Sequence, residues 1–145
     1  MKKITPYLIL LLSMLNLPIH SEEEAQAISL SADELSGAIL EGQPVIKVFG
    51  NDAQVLTVYT SKNNQFDAGI FGMTVEEPAN GTYIYESFPV HEVMFFMKGS
   101  MKLIDDNGKV TEAGPGEVLV IPKGWSGTRI VEDIVKFSVR YRENP

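Results

Sequence analysis

The chain of 145 residues contains no cysteine. Disulfides, a thiol nucleophile and a lipid-anchored cysteine are thereby excluded. Histidine is almost as scarce: only His20 and His91 occur, and His20 falls in an expected leader. Lys and Arg number 12 against 19 Asp and Glu, and the basic residues form no cluster. Phosphate backbones are held by clustered cations, so nucleic acid is not an expected partner. No glycine-rich phosphate loop opens a helix; the glycines punctuate short extended segments instead.

The N-terminus reads "MKKITPYLILLLSMLNLPIHSEEE". Lys2 and Lys3 form a charged start, and Tyr7 to Leu17 is an apolar run of signal-peptide length, short for a bilayer span. Cleavage is expected after Ser21, with "AQA" ending at Ala27 as the other site. The alternative is an N-terminal membrane anchor. With cleavage, the protein is expected in the periplasm or secreted, with no stable membrane anchor. Loss of Lys2 and Lys3 leaves ten basic against nineteen acidic residues, a formal net charge of −9.

Residues 22–43 read as a leader with one short helix. Ser31 and Glu34 have capping-box spacing, and Leu35, Ile39 and Leu40 form an apolar stripe. A helix from Ala32 to Leu40, ended by Gly42 and Pro44, is predicted. From residue 44 to 145 the pattern changes to about ten short β-branched and aromatic runs, separated by turns such as "KNNQ", "PANG" and "DNG". This predicts an all-β sandwich or barrel. The run "HEVMFFM" is apolar on both faces, so it is expected mid-sheet with both sides covered.

Two spacings sharpen the barrel reading. Glu92 is followed by six residues and Gly99; Gly116 is followed by five residues, Pro122, one residue and Gly124. From about Phe71 to Tyr141 these motifs, with a hairpin between them, resemble the cupin superfamily. The resemblance implies a single jelly-roll β-barrel. "HEVMFFMKGS" and "GEVLVIPKGWSGTR" are most similar to small cupins of the (S)-ureidoglycine aminohydrolase and ethanolamine-utilisation group. Glu117, Trp125 and Arg129 replace that group's usual Asp, Phe and Trp. Fold transfers across such a resemblance better than chemistry does.

Metal-binding members of the superfamily place two histidines before the glutamate and one after the second motif. Here the early positions fall on Tyr85 and Ser87, or in the shorter register on Glu86 and Phe88, and the late one on Gly127. Only Glu92 survives, and one carboxylate does not hold a transition metal. His91 adjoins Glu92, but neighbours on a strand face opposite sides, so it is expected to point outward. No cofactor is expected. A divalent transition metal is the alternative, through an unforeseen set such as Glu86, His91 and Glu92.

Parity along the strand from Gly127 sends Arg129 and Val131 inward. If the strand is regular, an Arg129–Glu92 ion pair stands where other cupins hold metal, gripping an anionic ligand or purely structural, because a guanidinium offers paired donors to a carboxylate; the alternative is Arg129 lying in solvent. Parity with Glu92 makes Met94, Phe96, Tyr83 and Tyr85 candidate lining residues, and Trp125 a cover for the barrel mouth. For Met94 and Phe96 core packing is the favoured reading over a lining role. Aromatics with one or two charged groups suit a small amphipathic ligand. Ser87 and Ser126 lack a His–Asp pair.

Three functions follow from this reading. The first is an exported, metal-free barrel binding a small polar or anionic molecule. The second is an enzyme of aminohydrolase or isomerase type, with Glu92, Tyr85 and Arg129 in acid–base and electrostatic roles. The third is a structural module pairing as a homodimer through the strand 91–97.

Overall fold

The computed structural model describes residues 2–3 and 27–143. Apart from Lys2 and Lys3, the expected signal segment lies outside the described residues, as does the chain up to residue 26. No helix among the described residues is long and apolar enough to cross a membrane.

The architecture is all-β, as the punctuated short runs predict. Among the described residues, eleven strands form two sheets: β1 (Lys2–Lys3), β2 (Ile46–Val48), β3 (Asn51–Thr60), β4 (Phe66–Thr74), β5 (Thr82–Tyr85), β6 (His91–Lys98), β7 (Met101–Asp105), β8 (Val110–Ala113), β9 (Val118–Ile121), β10 (Gly127–Val131) and β11 (Ile134–Tyr141). One sheet runs β1-β5-β10-β7-β8 and the other β2-β3-β4-β11-β6-β9. Every pairing is antiparallel except the short β1–β5 contact. The two sheets face each other across a core that includes Tyr83, Phe88, Met94, Phe96, Met101 and Ile121. Each such side chain contributes about 1.5–3 kcal/mol when fully removed from water.

The N-terminal helix α1 is shorter than its apolar stripe suggests. It covers Ala32–Leu35, and the Ser31–Glu34 capping box is formed. Gly37 then adopts a left-handed φ of 98°, which ends the helix well before Gly42, and Ala38–Leu40 continue as a 3-10 turn. The break lets Leu35, Ile39 and Leu40 lie on Leu56, Val58, Ile70, Val135 and Phe137, on the outer face of the larger sheet.

β6 does sit mid-sheet, between β11 and β9. Its inner residues Glu92, Met94 and Phe96 are buried. The expectation that both its faces are covered fails. Val93 and Phe95 remain exposed, beside their exposed cross-strand partners Val120 and Val118. The N-terminal segment covers the β3–β4–β11 side of that face and stops short of β9.

Candidate functional site

The site is a cavity between the sheets, and its charged wall comes mainly from β11. Alternation along that strand turns Ile134, Lys136, Ser138 and Arg140 into the cavity. β6 contributes Glu92, β4 contributes Asp67 and Phe71, β5 contributes Tyr85, and β10 contributes Arg129 and Val131. The space is about 90 Å³. One water occupies roughly 10–15 Å³ on this scale, so several fit, or one molecule of a few non-hydrogen atoms.

The carboxylates are already engaged. Lys136 Nζ donates to Glu92 Oε1 at 2.6 Å, and each side chain is only 7% exposed. Arg140 Nε donates to Asp67 Oδ1 at 2.7 Å, and Arg142 Nη1 also pairs with Asp67. The expected Arg129–Glu92 ion pair is therefore not formed, because Lys136 holds Glu92 instead. Parity along β10 carries Arg129 inward, but the nearer cation lies on another strand.

Arg129 is left with a different environment. Its guanidinium lies 5.0 Å from the ring centres of both Tyr83 and Tyr85. Cation–π attraction steadies it there. It has no carboxylate partner among the described residues, and its buried Nε lacks a hydrogen-bond partner. The buried Tyr85 hydroxyl lacks one too. Buried polar groups are normally paired, and each unpaired one calls for a reason.

Three cations, Lys136, Arg129 and Arg140, thus line the cavity against two carboxylates, Glu92 and Asp67. Burial and this surplus together set the proton equilibria. Burial alone would raise the Glu92 carboxyl, but attraction to Lys136 and Arg140, the Lys136 hydrogen bond and Arg129 together hold it below the ordinary value. Lys136 is lowered by its own burial, with repulsion from Arg129 and Arg140 adding to it and Glu92 opposing. Burial raises the Tyr85 phenol despite Arg129 nearby.

The other sequence candidates are placed as follows. Tyr83 packs behind Arg129, with its hydroxyl accepting from Asn51 Nδ2 at 3.0 Å. Met94 and Phe96 are fully buried core residues outside the cavity lining, which agrees with their favoured core reading and corrects the lining alternative. They point inward, as parity requires, but the packed part of the barrel lies there. Trp125 is a correction of the same kind. Half-buried, it packs against the core beside Tyr85, 6.4 Å between ring centres, and is not among the cavity-lining residues. His91 faces outward, 3.2 Å from Glu143 and stacked on Tyr141. Glu86 and Ser87 are exposed.

A metal fits poorly here. Among the described residues no three His, Cys, Asp or Glu side chains converge. Glu86, His91 and Glu92 point in different directions, and the late ligand position is Gly127, at φ 143°. A Cβ there would lie 2.3 Å from the Ile104 carbonyl oxygen. The cations around Glu92 would repel a divalent ion.

Sequence reasoning missed Lys136, Arg140 and Asp67. The signal available was strand alternation in "IVKFSVRY", but read conventionally it sends Lys136, Ser138 and Arg140 to solvent.

Comparison with known proteins agrees with the two motif spacings. The family model for the EutQ-like cupin domain matches residues 60–137, more than half of the chain. The chain belongs to the EutQ-like cupins. Among solved structures, this cupin is similar to a protein of unknown function from Rhizobium leguminosarum, at 18% identity over 81% of this chain and 99% of that one, TM-score 0.53. It is also similar to the Cnp3 cupin domain of Schizosaccharomyces pombe, at 12% identity over 72% of each chain, TM-score 0.52. Clostridium difficile EutQ matches at 23% identity over 63% of this chain and 69% of that one, TM-score 0.48. At these identities the likenesses speak for fold alone. No curated protein matches the chain in sequence.

Proposed function

We propose that this cupin is an exported protein that binds a small anionic molecule inside the barrel, without a metal. One observation carries the proposal: Arg129, free of any carboxylate among the described residues, shares a cavity wall with a buried Tyr85 hydroxyl that has no partner. A carboxylate or similar oxyanion would accept from both. It would also offset the cationic surplus left after Glu92 and Asp67 are counted. The cavity's size favours a ligand of few atoms.

Thermal unfolding with a panel of short carboxylates and inorganic phosphate tests this. At a hundredfold excess over Kd, binding stabilises by about 2.7 kcal/mol, a shift of several degrees. The shift should vanish in Arg129→Met. A panel that moves neither protein counts against the proposal, and so does stoichiometric Mn, Fe, Ni or Zn in the purified protein. N-terminal sequencing of the exported form should begin at Glu22 or Ile28.

A second reading, homodimerisation, is favoured by the apolar outer face of β6 and β9. Val93, Phe95, Val118 and Val120 are between 38% and 58% exposed, and they are direct cross-strand neighbours. A contiguous apolar patch of this kind fits a self-complementary interface with a second copy.

A further inference from the structure

Lys136 is the one buried lysine among the described residues, and it lies in the cavity wall. Its Nζ is 2.6 Å from Glu92 Oε1 and 5.6 Å from the centre of the Phe71 ring. Burying this pair is not an economical way to stabilise a barrel, since apolar residues of similar volume generally do as well or better. The pair does supply what imine chemistry requires: a primary amine in a partly apolar cavity, and a carboxylate in contact with it to move its protons.

Resting on the reading of the cavity as a small-anion site, we propose that Lys136 forms a reversible imine with the carbonyl carbon of a short 2-oxo acid whose carboxylate is held by Arg129 and Tyr85. In such a molecule the carbonyl adjoins the carboxylate, so one end engages the unpaired cation and the other meets the amine. The cavity's size restricts the carbon chain to a few atoms.

The step balances without any further reagent. The Lys136 ammonium gives one proton to Glu92, and the Nζ lone pair attacks the carbonyl carbon. The attacking nitrogen, now cationic, passes a second proton to the former carbonyl oxygen, which becomes the hydroxyl of a neutral carbinolamine. That hydroxyl leaves as water as the nitrogen lone pair forms the carbon–nitrogen double bond, with Glu92 returning the proton. An ammonium and a carbonyl thus become a protonated imine and one water. Burial, with repulsion from Arg129 and Arg140 adding to it, favours loss of the ammonium proton and lowers the Lys136 pKa.

The test uses the full chain with pyruvate or glyoxylate as probe and borohydride to reduce any imine, followed by peptide mass mapping. The expected result with pyruvate is one N-carboxyethyl group on Lys136, formed at least tenfold faster than on Lys47, Lys98, Lys102, Lys109 or Lys123. Lys136→Arg keeps a cation opposite Glu92 but removes the primary amine; it should lose the adduct while retaining a native circular-dichroism spectrum. Arg129→Met keeps Lys136 and should slow trapping about tenfold. Absence of an adduct, or adducts spread evenly over surface lysines, overturns the imine. Thermal unfolding with the same probes separates the two ideas. A stabilising shift without an adduct leaves the anion site standing and the imine refuted, whereas no shift and no adduct refutes both.

Discussion

Lys136 and Glu92 sit where neither charge is cheap, and their contact at 2.6 Å makes each tolerable. Removing one partner strands the other. Lys136→Met should destabilise the fold by about 3 kcal/mol, the low end for a broken buried pair, because Arg140 and Arg129 still partly neutralise Glu92. The double variant Lys136→Met/Glu92→Gln should recover much of that loss. Urea unfolding midpoints across the four-member cycle give the coupling directly. The same residue sets a pH dependence. The Glu92 carboxyl is lowered in the folded state, so the folded protein binds its proton less readily than the unfolded chain does. The stability this confers is complete above the ordinary glutamate value of about 4.3 and is lost as pH falls through the lower folded value. Unfolding free energy measured from neutral pH downward should drop more steeply below that point in the wild type than in Glu92→Gln. Equal slopes would show that other carboxylates govern acid unfolding.

At the scale of elements, β10 and β11 explain both the missing ligand position and the new cations. β10 begins at Gly127, paired with Tyr85 on β5 and Asp105 on β7. Its φ of 143° and the 2.3 Å approach to Ile104 exclude a side chain. Gly127→His therefore does not rebuild a histidine-bearing metal site. It should cost at least about 2 kcal/mol by backbone strain and overlap, and should take up no zinc in a dialysis assay; normal stability would refute this. β11 inverts the usual alternation. Its apolar residues Val135 and Phe137 face outward, where α1 and the following turn cover them, while Lys136 and Arg140 face in. A polar-out rule applied to this strand sends Lys136, Ser138 and Arg140 to solvent and Val135 and Phe137 to the cavity, the reverse of where they lie, because both sides of β11 are occupied. The inner side holds Glu92 and Asp67, which only lateral neighbours β6 and β4 bring there.

For the molecule as a whole, the uncovered patch on β6 and β9 bears on assembly. If two copies pair through it, Val118→Glu should convert the dimer to a monomer by light scattering. Its effect on unfolding should stay within about 0.5 kcal/mol per protomer once the dimer contribution is removed, since the side chain is exposed in the single chain. A wild type already monomeric at high concentration would refute the pairing. The formal charge of −7 and the cationic cavity lie at different levels: the exterior is acidic, yet the interior carries more Lys and Arg than Asp and Glu. Net charge thus says little about what the barrel accepts.

The all-β class, the capping box and the two motif spacings were legible in sequence alone, because each depends on residues close together along the chain. Parity along a single strand likewise led to Arg129 and Tyr85 as inward candidates and to His91 as outward. What only the tertiary structure decided is which partner each buried charge meets. Glu92 and Lys136 are 44 residues apart, and Asp67 and Arg140 are 73 apart. Their pairing depends on the register of β11 between β4 and β6 and on the N-terminal segment covering its other face. Local spacing can indicate that a side chain points inward; long-range strand register determines what it finds there.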